Sequence, residues 1–551
     1  MTDCKKIADL IFKDVSKTPD YYESLYPLRD LPEGARVTRF APSPTGYLHF
    51  GGLYAALASR LTAKSTGGVF FLRIEDTDKK REVEDGVSGI VDGLYSFGVV
   101  PDEGVTGFNT EKGDYGPYTQ SLRRDIYRCF ARSLMEQGKA YPCFCTPEDL
   151  DEIRSSQENE DIKGYYGKYA RCRDLSDEEI EEKIKNGTPF TVRLRSEGDI
   201  NRKIRFDDMI KGKIEMSENV NDVVILKADG IPTYHFAHAV DDHLMRTTVV
   251  VRGDEWIASV PLHLELFRAL GFKPVKYAHI AAILKEENGG KRKLSKRKDP
   301  EAAVSYYVEK GYPKESVAEY MLTILNSNFE DWRKANKTED ISKFPFNLKK
   351  MSLSGALFDI VKLNDVSKNV ISRFSAEYLY SLTEKWAKEY DGELYALLTA
   401  DPEKAKAILN IDRENPKPRK DIAHLSEVRD FVSYFYRELY TPACPLPESV
   451  EKAEAARLLE EYLTMYSPLD SKDEWFSKIR LLCENNGYTP SVKEYRQNPR
   501  AYRGHIGDVS SVIRTAVTSR LNTPDLYYIM QILGEDEVRA RINGAINSYK
   551  A

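Results

Sequence analysis

Between Val37 and Leu94 the chain alternates in a way few folds accept. Val37-Thr-Arg-Phe-Ala41 is a short apolar strand, followed by Pro42-Ser-Pro-Thr-Gly46. Each proline drives its predecessor into an extended conformation and Gly46 tolerates a positive φ, so this is a rigid loop ending in a sharp turn. Leu53, Ala56, Leu57, Arg60 and Leu61 then recur at helical spacing until Thr66-Gly67-Gly68 stops them. Val69-Phe-Phe-Leu-Arg-Ile74 is a near-continuous apolar run, the pattern of a parallel strand buried on both faces. Val83, Val87, Ile90, Val91 and Leu94 stripe a second helix. Strand, loop, helix, strand, helix predicts the start of a doubly wound α/β sheet.

The same grammar divides the rest of the chain. Residues 1–35 are periodic only in patches and read as an N-terminal extension. Residues 36–116 form the first half of the α/β domain. From 117 to 225 shorter pieces and the acidic run Asp149–Asp161 predict an inserted α+β domain. The second half, 226–284, follows from a strand ending near Lys227, the strand Thr247–Arg252 and a Leu-rich helix over 260–271. Residues 285–350 open with a Gly-punctuated basic stretch. The last region, 351–551, is all-α by its periodicity; Ala455, Leu459, Tyr462, Leu463 and Tyr466 share one helix face.

Charge and cysteine usage bound the function. The 551 residues carry 81 basic and 87 acidic side chains, a net charge of −6. Bulk charge therefore excludes a protein that coats nucleic acid, but not a locally basic groove. A mean hydropathy of −0.51 excludes a membrane-embedded chain, and the N-terminus does not read as a signal peptide. Seven scattered cysteines do not make a secreted disulfide scaffold. A cytoplasmic protein is the expectation.

The chemistry-bearing string is Arg39-Phe-Ala-Pro-Ser-Pro-Thr-Gly-Tyr-Leu-His-Phe-Gly-Gly52, at a strand-to-helix junction. Helix N-termini bind phosphate through unpaired N–H groups and partial positive charge. His49 would donate to phosphate oxygens there, and Gly51 and Gly52 would let a flat purine lie against the backbone. A second cationic element, Lys291 to Lys298, carries six basic residues in eight. With Gly289-Gly290 read as a hinge, it would close on phosphate as a clamp.

This string resembles the signature of class I glutamyl-tRNA synthetases, with His49-Phe-Gly-Gly52 at the family's "HIGH" motif and Gly52 in place of its second histidine. Arg73-Ile-Glu-Asp-Thr-Asp78, Gly116–Ser121, Thr233–His243, Val251–Trp256, Lys293-Leu-Ser-Lys-Arg297 (the "KMSKS" loop) and Gly507-Asp-Val continue the likeness in register. The resemblance implies an enzyme that attaches L-glutamate to its tRNA by way of a glutamyl-adenylate, as a monomer with no membrane partner. ATP would enter with Mg²⁺, and activation would wait for bound tRNA. It implies a Rossmann-like catalytic domain, an insertion that grips the acceptor stem, a stem-contact region at 285–350 and a helical anticodon-binding region at 351–551.

Roles follow residue by residue. His49, Lys293 and Lys296 would be catalytic. His49, Gly51, Gly52, Glu255, Trp256, Lys293 and Lys296 would bind ATP. Glutamate needs paired cations and one anion: Arg39 and Arg252, at strand ends, would fork its side-chain carboxylate with Tyr234. Glu75 would hold the ammonium and Ser43 the backbone end. Arg419, after Asn415-Pro-Lys-Pro, would read an anticodon base or neutralise phosphate, ahead of a helix over Asp421–Tyr436. Cys143, Cys145, Cys172 and Asp174 could hold zinc, or be three ordinary thiols; some bacterial members carry zinc at Cys-x-Cys and Cys-x-His. His235, His238 and His243 with Asp241 and Asp242 are not expected to bind metal. The rival readings are a glutaminyl-tRNA synthetase, whose C-terminal part is a β-barrel, and a catalytically silent tRNA-binding paralogue.

Overall fold

The computed structural model describes residues 3–78 and 83–551, so Met1 and Thr2 of the extension lie outside the described residues. The chain divides into two compact units, Met1–Val308 with Ala318–Asp359, and Glu309–Val317 with Ile360–Ala551.

In the first unit, strand β1 (Val37–Phe40) leads through the proline loop into helix α3 (Phe50–Lys64), preceded in the chain by α1 (Cys4–Ile11) and α2 (Pro19–Leu25). Strand β2 (Val69–Leu72), α4 (Gly86–Ser96), β3 (Glu103–Gly107) and β4 (Thr110–Lys112) complete the first half. β1, β2 and β3 are parallel neighbours, with Phe40 beside Leu72. On the other side of β1 stands β10 (Val249–Gly253), joined through Thr248: its hydroxyl accepts from the Val37 amide at 2.8 Å and its amide donates to the Val37 carbonyl at 2.9 Å. β10 pairs in parallel with β11 (Lys276–Ile280). The chain thus leaves β1 in one direction and returns on its other flank, the switch point that opens a crevice at the strands' C-terminal ends. The two faces of β1 separate cleanly. Thr38 bonds the Ser59 carbonyl of α3, and Arg39 turns the opposite way, to α8 (Tyr234–Leu244).

Helix α5 (Arg124–Glu136) opens the insertion, burying Ile126, Tyr127, Phe130, Leu134 and Met135 at helical spacing. Strands β5 (Ala140–Cys143), β6 (Thr191–Leu194) and β9 (Val224–Leu226) form its antiparallel sheet, with helices α6 (Pro147–Ser156) and α7 (Asp177–Lys185) between β5 and β6. The hairpin β7 (Lys203–Asp208) and β8 (Gly212–Ser217), counted above with the insertion, instead pairs with β11 at Tyr277 and Asp208, so it extends the main sheet. The reason is register: β7's end is bonded to β11, while its solvent-facing alternation exposes Lys203, Arg205 and Asp207. After α9 (Val260–Leu270), β12 (Ile283–Glu287) and β13 (Gly290–Lys293) form a tight hairpin. Asn288 and Gly289 both have positive φ, 52° and 76°, as a two-residue turn demands. Gly289-Gly290 is accordingly a fixed turn and not a hinge.

Residues 3–29 are an integral strap. Ile7, Ala8, Phe12, Tyr22 and Tyr26 are buried, α1 packs on α5 and α7, and Arg29 grips Glu103 with two hydrogen bonds at 2.7 and 3.0 Å.

The second unit is helical around one apolar core that includes Leu379, Leu398, Ile408, Leu459, Tyr462, Val512, Ile513 and Ile542. The helix Lys452–Met465 buries Ala455, Leu459 and Tyr462, the face its spacing predicts. The helix expected over Asp421–Tyr436 is broken into a 3₁₀ turn, a short helix at Val428–Val432 and a second 3₁₀ turn. Ile422, Leu425, Val428, Val432 and Phe435 are buried all the same. An apolar stripe reports which side faces the core; it does not guarantee continuous i to i+4 bonding.

Candidate active site

The crevice at the switch point is a cleft of about 860 Å³. It gathers Arg39, Ser43, His49, Gly51, Gly52, Glu75, Tyr234, Arg252, Glu255, Trp256 and Lys293 on one surface. Of the sequence-predicted catalytic and substrate residues, Lys296 alone stands off the wall.

His49 is the N-cap of α3, its Nδ1 accepting from the Gly51 amide at 2.9 Å. That bond fixes the neutral tautomer, so Nε2 keeps its proton and is the ring's donor. Burial, and then the Lys296 and Lys293 cations, push the imidazole down to about 4. The first turn of α3 carries no acidic side chain, and its third position is Gly52, where a Cβ would stand 3.1 Å from Leu48 and 3.4 Å from Phe40. The helix end is therefore open to an incoming anion.

On the far wall, Arg39 gives Nε to both oxygens of Asp242 at 3.3 Å. Arg73, fully buried, donates to Asp242 at 2.8 Å and to Glu75 at 3.1 Å. Burial alone would raise Asp242, but the Arg39 and Arg73 guanidiniums hold it well below the usual carboxylate range. For Glu75 burial outweighs the same cations and raises it. Arg39 is thus a paired cation before any substrate arrives.

Arg252 is different. It is 6% exposed, yet its hydrogen bonds all go to neutral acceptors: His279 Nε2 at 3.1 Å, His263 Nδ1 at 3.3 Å, the Tyr234 hydroxyl at 3.4 Å and the Trp256 carbonyl at 3.4 Å. Its guanidinium also lies over the Tyr277 ring at 4.7 Å. Among the described residues no carboxylate pairs with it. A buried guanidinium so arranged keeps its charge uncompensated and has the chemistry to receive an anion.

The basic loop frames the other end. Lys293 lies 3.9 Å from Glu255. Arg292 is tied to Asp299 at 2.6 and 2.7 Å, and the Lys296 ammonium donates to the Tyr47 carbonyl. Lys296 is held at the mouth of the proline loop in this state.

In the insertion, the sulfur atoms of Cys143, Cys145 and Cys172 lie within 4.8 Å of one another. Asp174 stands apart from them. That side chain is 86% exposed and bonds Arg195 at 3.2 Å, because the turn after Cys172 carries it into solvent. The Tyr165 hydroxyl lies beside the sulfurs, 3.5 Å from Cys143 Sγ and 3.3 Å from Cys145 Sγ. Three soft sulfur donors and one oxygen suit zinc. The histidines of α8 have partners of their own. His238 lies 2.6 Å from Asp242 and bonds Tyr277, His235 bonds His263, and His243 bonds Glu23.

In the second unit Arg419 is one third exposed, its guanidinium forked by Asp421 at 2.7 and 2.9 Å and bonded to Asn522 at 3.2 Å. With Lys368, Arg413, Lys420 and Phe431 it lines a small surface pocket.

Sequence reasoning passed over Arg73, Asp242, His263, Asp208 and His279 as site residues. The signal for Asp242 was available: two adjacent carboxylates on an apolar helix must be paired. His279, one histidine in an apolar strand, gave none.

Comparison with known proteins agrees with this geometry. Residues 36–365 match the family of tRNA synthetases class I (E and Q), catalytic domain, and residues 503–546 an anticodon binding domain. A glutamate–tRNA ligase from Clostridium perfringens strain 13 is 51% identical over 543 residues, covering 98% of this chain and 100% of the relative. One from Acetivibrio thermocellus is 48% identical over 542 residues, covering 98% and 99%. A crystal structure of a glutamate tRNA ligase from Elizabethkingia meningosepticum, in complex with its amino acid, is 31% identical, covers 93% of this chain and 99% of that one, and superposes with a TM-score of 0.74. With the catalytic match, the full-length relatives and the helical second unit in hand, the chain belongs to the glutamate–tRNA ligases, class I synthetases of the E and Q branch.

Proposed function

We propose that this chain attaches L-glutamate to its tRNA in two steps. The substrate's α-carboxylate attacks the α-phosphorus of ATP, releasing pyrophosphate; the terminal ribose hydroxyl of the tRNA then attacks the mixed anhydride and releases AMP. Neither step needs a nucleophile from the protein, so positioning and charge carry the acceleration. The adenine lies against Gly51 and Gly52 beside Glu255 and Trp256, and the His49 Nε2–H donates to the phosphates. Lys293 and Lys296 meet charge as it develops on the leaving pyrophosphate, Lys296 after releasing Tyr47. Mg²⁺ would come with the nucleotide and share its phosphate charge. Glu75 holds the substrate ammonium, Ser43 its backbone end, and Arg252, with Tyr234 and the Asp242-paired Arg39, its side-chain carboxylate. Arg419, held by Asp421, is the group that faces an anticodon base. We propose a cytoplasmic location and a monomer.

The observation that carries this reading is Arg252: a buried cation whose acceptors are all neutral suits a substrate that differs from glutamine in charge and in having no side-chain donor. ATP–pyrophosphate exchange with glutamate, run with and without tRNA, is the test. Charge-assisted bonds contribute roughly 1.5–3 kcal/mol each, so Arg252→Gln should lower kcat/KM for glutamate by about 100-fold or more. Unchanged glutamate use in that variant would overturn the reading.

The insertion carries a second proposal, zinc held by Cys143, Cys145, Cys172 and Tyr165 as a structural ion. Elemental analysis of protein never exposed to chelator should find about one equivalent. Tyr165→Phe should weaken retention while Asp174→Ala should not.

A further inference from the structure

Arg252 has a second feature, visible only when three strands are viewed together. The parallel register of β10 and β11 sets Arg252 beside His279, and that of β11 and β7 sets Tyr277 beside Asp208. Asp208, His279 and Arg252 therefore form a line across the sheet. Asp208 Oδ2 accepts the His279 Nδ1–H at 2.6 Å, and His279 Nε2 accepts the Arg252 Nε–H at 3.1 Å.

The tautomer is forced from the far end. Asp208 is 4% exposed, and its oxygens also take the backbone amides of Ile210, Lys211 and His279 at 2.8–3.3 Å. Such an ionised carboxylate only accepts, so the imidazole proton must sit on Nδ1. Nε2 is then a lone pair aimed at Arg252. A direct Asp–Arg pair would steady the guanidinium equally well, but would also neutralise it. An imidazole between them aims the cation and leaves its charge uncompensated. His263 does the same from another side: its Nδ1 accepts from Arg252, which puts the proton on Nε2, where His235 Nδ1 receives it at 2.9 Å.

Resting on the assignment of Arg252 to the substrate's side-chain carboxylate, we infer that Asp208 and His279 are specificity-positioning residues. They hold Arg252 in one orientation while keeping it an unpaired cation, so that an anionic side chain is selected over a neutral amide. They touch no substrate atom and act through Arg252 alone.

The test is a set of four variants of the full chain, each measured for glutamate KM, glutamine use, ATP KM and thermal unfolding. His279→Phe keeps a ring stacked on Tyr277, now 5.6 Å from it, and removes the acceptor. It should raise glutamate KM at least 30-fold, leave ATP KM within twofold, and lower glutamate-over-glutamine selectivity at least tenfold. His279→Gln restores an acceptor oxygen and should recover most of that loss. Asp208→Asn presents an amide to donors and should follow His279→Phe. Arg252→Gln separates the two levels. If it leaves glutamate use intact, the substrate assignment fails. If it abolishes glutamate use while His279→Phe keeps normal glutamate KM and selectivity, only the positioning role fails. Equal rises in glutamate and ATP KM would also overturn it, as a merely structural effect. Should His279→Phe not fold, ¹⁵N-histidine spectra of the unaltered protein decide, with His279→Gln assigning the signal. The inference requires protonated Nδ1 and bare Nε2 at His279; protonated Nε2 overturns it.

Discussion

Two helices in this molecule, one in each unit, begin with the same device and use it for opposite ends. His49-Phe-Gly51 opens α3, and His505-Ile-Gly507 opens the helix Ile506–Thr518. In both, histidine Nδ1 accepts the amide of the glycine two residues on, at 2.9 and 3.0 Å. The difference is one position later. Asp508 sits at the third helical position of the second helix, taking the His505 amide at 2.8 Å and the Ser449 hydroxyl at 2.7 Å. That carboxylate completes a capping box and supplies the negative charge a helix N-terminus favours. Gly52 stands at the equivalent place in α3 and supplies nothing. One helix carries its own anion; the other, in the proposed function, leaves the place for a phosphate. The two helix ends differ here by a single side chain.

The sharpest way to break this contrast is to give α3 the other helix's carboxylate. Gly52→Asp should lower ATP–pyrophosphate exchange by about 10³-fold, the order of effect of disrupting a preorganised charge site. Gly52→Ala brings the same Cβ without charge, and should lose roughly tenfold or less. Equal losses in the two would show that shape alone, and not the open positive end, matters at this position.

The reciprocal change is smaller and of another kind. Asp508→Ala removes the box and should cost about 1–2 kcal/mol. For a unit of this size that lowers Tm by roughly 2–8 °C, read by calorimetry, while the exchange rate stays at its original value. Lost exchange without lost stability would contradict the assignment of a purely structural cap.

The smallest expected effect is a slope. His49 and His238 are each pushed down to about 4, first by burial. Between pH 6.5 and 4 the unfolded chain binds protons that the folded one refuses, so stability is full above about 6.5 and falls as pH is lowered through that window. Each fully active group contributes at most about 1.4 kcal/mol per pH unit, less for His49, which is the more solvated. Asparagine can also cap a helix, so His49→Asn should flatten the acid side of the Tm–pH curve slightly. An unchanged slope would mean that His49 does not resist protonation.

How much of this could be read beforehand depends on whether a feature is local in the chain. The β1 strand, the proline loop, α3 and β2 follow from neighbouring residues, and with them the placing of Arg39, His49 and Glu75 along one cleft. Arg252 was legible as a strand-end cation. Its partners were not: Asp208 and His279 are separated by 71 residues in sequence and meet only through the register of β7 on β11. Asp174 shows the opposite case. Spacing and ligand type nominated it, whereas the direction of one turn carries its side chain into solvent and leaves Tyr165 by the sulfurs. The broken helix over Asp421–Tyr436 shows the middle case, with burial correct and hydrogen bonding wrong.

The N-terminal strap has a consequence for how the chain is assembled. Nearly everything that residues 3–29 touch is made after them. Asp3 bonds Asp177, Tyr26 bonds Gly116, and Glu23 bonds His243, separations of 174, 90 and 220 residues. During vectorial synthesis the strap's apolar side chains leave the ribosome with no surface to receive them. They can dock only after α5, α7 and the end of α8 exist, and contacts of such long sequence separation form late because loop closure must come first. The strap is thus translated ahead of the elements it docks on and is among the last parts of its unit to be seated. Until α5 and α7 emerge, the Ile7, Phe12 and Tyr22 face is exposed to other chains, and a chaperone that binds apolar segments can claim it.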